Sequence, residues 1–471
     1  MKLQSIKSIH FSGIKGVGMT ALACVAKDFG MKVTGSDTSE IFLTDSILQK
    51  KNIQCYPGFS KSIISQLNPE WVIYTAAHKG ENNPQVQEAK RLGIAVSSQG
   101  EALGLFQKTK LGISVAGVGG KTTTAALLAT IFEKAKKNPG YMIGVGGVSS
   151  LEYPGKYDSR GEVFITEADE YACSPDNPKP KFYYQKPKVI IIPNLAFDHP
   201  DVYKDEAATL QVFADFVSTL PKDGVLIANI DCSFTRILLD KTSVPVWTYG
   251  ESEESQWKIC NYTNSEGATR FALEARDGTK TEYTVPVPGR FNTKNAVGAI
   301  LAAKFFKIDD NHIMKGLISF RGVKRRFELI AKINSTLFYD DYAHHPDEIK
   351  ATLQTARECF PGKRIIVIFQ PHTYSRTKVL LKQFAASFSD ADEVILIDIF
   401  ASAREQDNPA INSKVLAKKI THPKATYLLG KEAVLNYIAS QNLENTLLFT
   451  MGAGDIYTWS QEIISILKKY E

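Results

Sequence analysis

The segment Gly117-Val118-Gly119-Gly120-Lys121-Thr122-Thr123 combines three residue types that together handle phosphate. Glycines let backbone N–H groups close round an anion, Lys121 adds a mobile positive charge, and the Thr122 hydroxyl is a hard oxygen ligand for Mg²⁺. An apolar run at 111–116 enters the segment and a helical pattern at 125–136 leaves it. The loop therefore falls at a strand-to-helix junction, where unpaired N–H groups and the helix dipole attract an anion. Val115 stands where the strict phosphate-loop pattern has Gly, yet the junction favours nucleotide triphosphate binding over a plain glycine turn.

Two further groups follow apolar runs. Glu167 opens the tetrad Glu167-Ala168-Asp169-Glu170 after a short strand at 163–166, a position that holds Mg²⁺ or forms a solvated acidic turn. His199 follows a strand at 189–192. A single His there is either structural or, if the strands run parallel, a second metal ligand. The Pro-rich stretch 173–184 between them is expected to frame the site.

Near the start, Gly13-Ile14-Lys15-Gly16-Val17-Gly18 lies between a strand at 8–11 and a helix at 19–29. Gly16-x-Gly18-x-x-Ala21 with Asp37 beyond it has three readings: a dinucleotide site with Asp37 on a ribose, a ligand-free packing turn, or a site for another nucleotide diphosphate.

The elements that must carry these groups alternate strand and helix. At 471 residues the chain is expected to form about three domains of roughly 150 residues each. The reading is α/β: a Rossmann-like unit at 1–108, a central phosphate-loop unit at 109–323 with a parallel sheet and an antiparallel insertion over 225–285, and a Rossmann-like unit at 324–471. Polar clusters recur after apolar strands, so chemistry should gather along one sheet edge. A hydrophobic fraction of 44%, 23% charged residues and a net charge of +6 without basic blocks argue against a nucleic-acid tail and suit polyanionic small substrates. Cys24, Cys55, Cys173, Cys232, Cys260 and Cys359 are scattered, which implies neither a disulfide framework nor zinc. No apolar leader and no window of 18 apolar residues is seen, so the protein is expected to be cytoplasmic, with no membrane or nucleic-acid partner.

The stretches HFSGIKGVGM (10–19), GSD (35–37), GGKTTT (119–124), EADE (167–170), DHPD (198–201), PGRFNTKNA (288–296), RGVKRRFE (321–328), DDYAHHPDEI (340–349), FQPHTYSRT (369–377), SARE (402–405) and GAGDI (452–456) occur in this order. In them the chain resembles the Mur ligase family over essentially its full length. The third-unit motifs point to the alanine-adding branch. So does the lack of Lys in 210–220, where some relatives carry a carbamylated lysine.

The resemblance implies an ATP-dependent ligase that joins L-alanine to UDP-N-acetylmuramate in peptidoglycan precursor synthesis, acting as a monomer or weak homodimer. It implies that Gly13, Lys15, Gly16 and Gly18 cradle the UDP diphosphate with Asp37 near the uridine. Residues Gly117, Val118, Gly119, Gly120, Lys121, Thr122 and Thr123 would bind ATP, with Asn292 and Asn295 at adenine and Asp341 and Tyr342 at the ribose and the amino acid. Thr122, Glu167 and His199 would hold Mg²⁺. His344, His345 and Arg376 would recognise alanine's carboxylate or the transition state, and Arg326 would reach the phosphates on closure.

Two positions depart from the family pattern, Gly119 and Phe291, where relatives usually carry His. The stretch EADEYACSPDNPKPKFYY resembles the recycling branch, which attaches a tripeptide to the same sugar nucleotide and is the alternative. An NAD-dependent oxidoreductase would explain the first glycine loop but leave 340–377 without a role.

Overall fold

The computed structural model describes residues 2–174, 177–200, 202–265, 267–401 and 411–470. The SARE stretch at 402–405 and Asp201 lie outside them. Three α/β units follow one another, each built on its own sheet.

In the first, Ser8–Ser12 lies between Lys32–Asp37 and Trp71–Tyr74, with Gln54–Pro57 and Ala95–Ser98 outside them, all parallel. The glycine loop leaves the central strand and enters the helix Val17–Asp28. In the second, Leu111–Val115 lies between Val163–Glu167 and Pro187–Ile192, again parallel. Parallel strands end at one common edge, which is why Lys121, Glu167 and His199 come together. The third sheet has five parallel strands and one antiparallel edge strand, Glu328–Ile333.

The expectation of an antiparallel insertion over 225–285 requires correction. Val225–Asn229 and Val246–Gly250 continue the parallel sheet, with the helix Ser233–Leu239 between them. Only Trp257–Ser265, Ala268–Ala275 and Lys280–Val285 form an antiparallel meander. Residues Val225 to Asn229 are buried on both faces, as an interior parallel strand requires, whereas 257–265 mixes exposed and buried positions.

The helix Lys121–Lys134, which carries the phosphate loop at its N-terminus, is buried from Thr122 to Phe132. It packs against the sheet and the helices Arg290–Phe305 and Asp310–Ser319. Small residues permit this: a Cβ on Gly316 would lie 2.6 Å from the Ile131 Cα. Each fully buried Leu or Ile contributes roughly 1.5–3 kcal/mol, so Leu127, Leu128 and Ile131 anchor the loop firmly. No described helix is long and apolar enough to cross a membrane.

The first unit meets the second where Val17–Asp28 packs on Gly155–Lys156, and a Cβ on Gly155 would lie 1.9 Å from the Ala21 carbonyl oxygen. Gly155→Ala should therefore cost roughly 1–3 kcal/mol through overpacking. Thermal melting checks this, and an unchanged midpoint would mean that the two backbones do not pass this closely.

Candidate active site

The phosphate loop is shaped by two left-handed glycines, Gly117 at φ +121° and Gly120 at φ +83°. Any side chain would also collide there: a Cβ on Gly117 would sit 2.3 Å from the Asn194 carbonyl oxygen, and one on Gly120 2.2 Å from the Asn295 Oδ1. The Gly119 N–H donates to Asn194 Oδ1 at 2.7 Å. A Cβ on Gly119 would lie 3.1 Å from Asn194 Nδ2, so the Asn194 amide fills the space beside this position.

Lys121 Nζ donates to the Gly117 and Val118 carbonyls at 2.5 and 3.2 Å, and lies 2.9 Å from each Glu170 carboxylate oxygen. Burial works against its charge, but the carboxylates of Glu170 and Asp169 outweigh burial and raise its pKa. Beside it, the Thr122 hydroxyl donates to Glu167 Oε2 at 2.8 Å and the Gly144 N–H donates to Oε1 at 2.6 Å. Burial pushes the Glu167 carboxyl up despite these bonds.

A second cluster adjoins the first. The ligand atoms of Glu170, Asp198 and His199 lie within 4.8 Å of one another. His199 Nε2 is 3.7 Å from Glu170 Oε1 and 3.6 Å from Asp198 Oδ2, and its ring packs on Tyr171 with centroids 4.4 Å apart. Burial disfavours the imidazolium, but Asp198 and Glu170 outweigh it and raise the His199 pKa. Burial likewise opposes charge on Asp198, yet His199 and Arg376 hold its carboxyl well below the usual range.

Both clusters fit a hard cation. Thr122 with Glu167 offers oxygen donors, and Glu170 with His199 offers a carboxylate and an imidazole. The donor atoms of each pair lie 2.8 and 3.7 Å apart, close enough that each pair would share one Mg²⁺.

The third unit closes over this edge. Arg376 Nε and Nη2 grip Asp198 Oδ1 and Oδ2 at 2.8 and 3.2 Å, with both side chains 3% exposed. Arg376 thus ties the third unit to the second through the neighbour of His199. The resemblance implies that it recognises the amino acid's carboxylate or the transition state, and the structure places its guanidinium on Asp198.

His345 also differs. Its Nδ1 accepts the Asp347 N–H at 3.3 Å as the cap of the helix Pro346–Cys359, and its Nε2 faces the Phe197 carbonyl at 3.3 Å. With both ring nitrogens engaged, His345 serves the helix start and the interdomain contact. His344 is placed otherwise. Its Nδ1 lies 3.0 Å from the Tyr342 carbonyl, and burial pushes its pKa down to about 4, so the ring is neutral near pH 7.

Two clefts result. One, of about 260 Å³, is lined by Gly119, Gly120, Thr123, Phe291, Asn295, Arg326 and Asp341. Asn292 does not line it, because its amide is turned to the Pro288 carbonyl at 2.6 Å. The Asp341 carboxylate accepts the Phe327 and Ala343 N–H groups at 2.8 and 2.7 Å, and burial raises its pKa to about 6.

The other cleft, of about 580 Å³, joins Lys15, Gly16 and Gly18 of the first unit to Val118, Lys121, Thr122, Glu167 and His199 of the second and Tyr342 and His344 of the third. Gly13 and Asp37 lie behind it. Gly13 turns at φ +87°, and Asp37 accepts the Lys15 N–H at 2.7 Å, so both shape the loop.

Glu170, Asp198, Asn194 and Glu348 received no role from the sequence. Glu170 and Asp198 stand within the quoted EADE and DHPD stretches, and that proximity was the available signal. No periodicity marks Asn194 or Glu348.

The model of the Mur ligase family catalytic domain matches residues 8–110, that of the Mur ligase middle domain 115–303, and that of the Mur ligase glutamate ligase domain 325–454. The UDP-N-acetylmuramate–L-alanine ligase of Desulfitobacterium hafniense is 35% identical over 465 residues, 97% of this chain and 99% of that protein. The ligase of the same name from Clostridium perfringens is 37% identical over 96% of each chain. Among solved structures, the UDP-N-acetylmuramate–alanine ligase of Thermotoga maritima aligns at TM-score 0.78 with 26% identity, over 99% of this chain and 100% of that one. A murein peptide ligase from Psychrobacter arcticus shares the fold at TM-score 0.71, with 24% identity over 98% of each chain.

Removing one partner of a buried ion pair leaves an uncompensated charge at roughly 3–5 kcal/mol. Arg376→Met should destabilise by about that much, and adding Asp198→Asn should recover most of the loss in thermal melting. Losses that simply add across Arg376→Met, Asp198→Asn and the double variant would show that the pair does not couple.

Proposed function

The chain belongs to the Mur ligase family, and from that premise we propose that it joins L-alanine to the carboxylate of UDP-N-acetylmuramate at the expense of ATP. The observation that carries this reading is the larger cleft, which opens onto groups from all three units.

A carboxylate is a poor electrophile, and an amine does not displace oxide from it. Phosphoryl transfer from ATP makes an acyl phosphate, alanine's amine attacks its carbonyl carbon, and phosphate leaves as the amide forms. Lys121 and the loop N–H groups hold the phosphates. Asn295 and Phe291 border the adenine, Asp341 accepts from the ribose, and Arg326 reaches the phosphates from the third unit. Lys15, Gly16 and Gly18, at the start of the helix Val17–Asp28, take the UDP diphosphate on a loop held by Asp37.

Thr122 with Glu167, and His199 with Glu170, would hold Mg²⁺, which when bound neutralises the charge of the two anions that must meet. His344 donates Nδ1–H to the Tyr342 carbonyl, and burial keeps the ring neutral, so its Nε2 is left as an uncharged hydrogen-bond acceptor on the cleft wall. Arg376 acts by fixing Asp198 beside His199. The third unit covers the site and keeps water from the acyl phosphate.

An ATP-dependent phosphate-release assay with UDP-N-acetylmuramate tests this. Release is expected with L-alanine. Release only with the L-alanyl-γ-D-glutamyl-diaminopimelate tripeptide would move the reading to the recycling reaction, and release without the sugar nucleotide would refute both.

Asp341 supplies a pH test. Below about 6 its carboxyl carries a proton and becomes a donor, so nucleotide affinity should fall as the pH drops through 6. Asp341→Asn, which does not titrate, should abolish that step in a nucleotide-binding titration.

A further inference from the structure

An ammonium group has three N–H bonds to give. Those of Lys121 go to the Gly117 carbonyl, the Val118 carbonyl and the Glu170 carboxylate. A phosphate seated in the loop must take one of them. The two carbonyls belong to the loop backbone, so the partner that can give way is the Glu170 side chain.

Giving way has a consequence for Glu170, whose side chain is 3% exposed. The acidic groups around it have partners of their own. Asp169 has Lys181 at 2.6 Å, Asp198 has Arg376, and Glu167 has the Thr122 hydroxyl and the Gly144 N–H. Once Lys121 turns to phosphate, Glu170 is a buried carboxylate facing a polyanion with only the His199 ring, 3.7 Å away and shared with Asp198, to offset its charge, which is unfavourable. The group placed to share a cation with it is His199, whose Nε2 is 3.7 Å away. Asp198 completes that cluster, but both of its oxygens are held by Arg376.

We propose that Glu170 is an exchange ligand: it passes from Lys121 to a divalent cation shared with His199 when a nucleotide phosphate takes the Lys121 ammonium, so that the nucleotide completes the second cation site. Thr122 and Glu167 pair without Lys121, so the first cation site requires no such exchange. The second cation then loads only after the nucleotide. This inference rests on the nucleotide reading above and adds an order of binding to it.

Electron paramagnetic resonance of Mn²⁺, titrated into the full chain with and without a non-hydrolysable imido analogue of ATP, tests the exchange. In the wild type the second Mn²⁺ should bind at least about tenfold more tightly when the analogue is present. Glu170→Gln should bind the analogue at least as well as the wild type, because Lys121 is released, yet hold a single Mn²⁺. Glu170→Asp, which keeps the charge on a shorter arm, should restore the second ion at reduced affinity. Two Mn²⁺ ions in Glu170→Gln, or equal second-ion affinity in the wild type with and without the analogue, would overturn the exchange. A wild type that fails to bind the analogue would overturn the nucleotide reading instead, and the exchange with it.

Discussion

A line of buried charge runs through this protein from the third unit to the phosphate loop: Arg376 on Asp198, Asp198 beside His199, His199 beside Glu170, and Glu170 on Lys121. Signs alternate along it, and that alternation is what allows so many ionised groups to share a largely buried cluster. A single charge there would be costly, and each neighbour repays part of its neighbour's desolvation. The raised pKa values of Lys121 and His199 and the depressed value of Asp198 express the same coupling. Because Arg376 comes from the third unit, the charge line ties that unit to the carboxylate beside His199.

The rest of the architecture delivers these groups. A parallel sheet sends every strand's carboxyl end to the same edge, so loops far apart in the chain become neighbours without further provision. The central sheet presents the phosphate loop, the EADE loop and the loop bearing Asp198 and His199 from three adjacent strands. The buried helix behind Lys121 gives the loop a rigid base. Asn194 then locks it from the side, accepting the Gly119 N–H while its own backbone lies against Gly117.

The same logic separates two kinds of histidine. His344 is neutral, lines the larger cleft and has one ring nitrogen committed to the Tyr342 carbonyl. His345, its chain neighbour, has both nitrogens engaged with backbone and acts in folding. Adjacent residues of one type therefore divide between chemistry and support according to which way each side chain leaves the strand end.

Much was legible in the residues themselves. Apolar runs bounded by glycine and polar clusters mark the parallel strands, and Gly119-Gly120-Lys121-Thr122 marks the loop, because these patterns depend on backbone geometry within a few residues. The 225–250 region misled, since short apolar segments fit an antiparallel strand as well as a buried parallel one. The partners in the charge line were not legible. Lys121 and Glu170 are 49 positions apart, and Asp198 and Arg376 are 178 apart.

The sequence alone thus determined the α/β order of elements, the phosphate loop and the family likeness, all of which local spacing encodes. Tertiary structure alone decided that Arg376 grips Asp198, that His345 caps a helix, that Asn292 turns to the Pro288 carbonyl and away from the smaller cleft, and that Glu170 holds Lys121. Pairing between distant side chains is set by how the sheets stack and close, and no local periodicity records it.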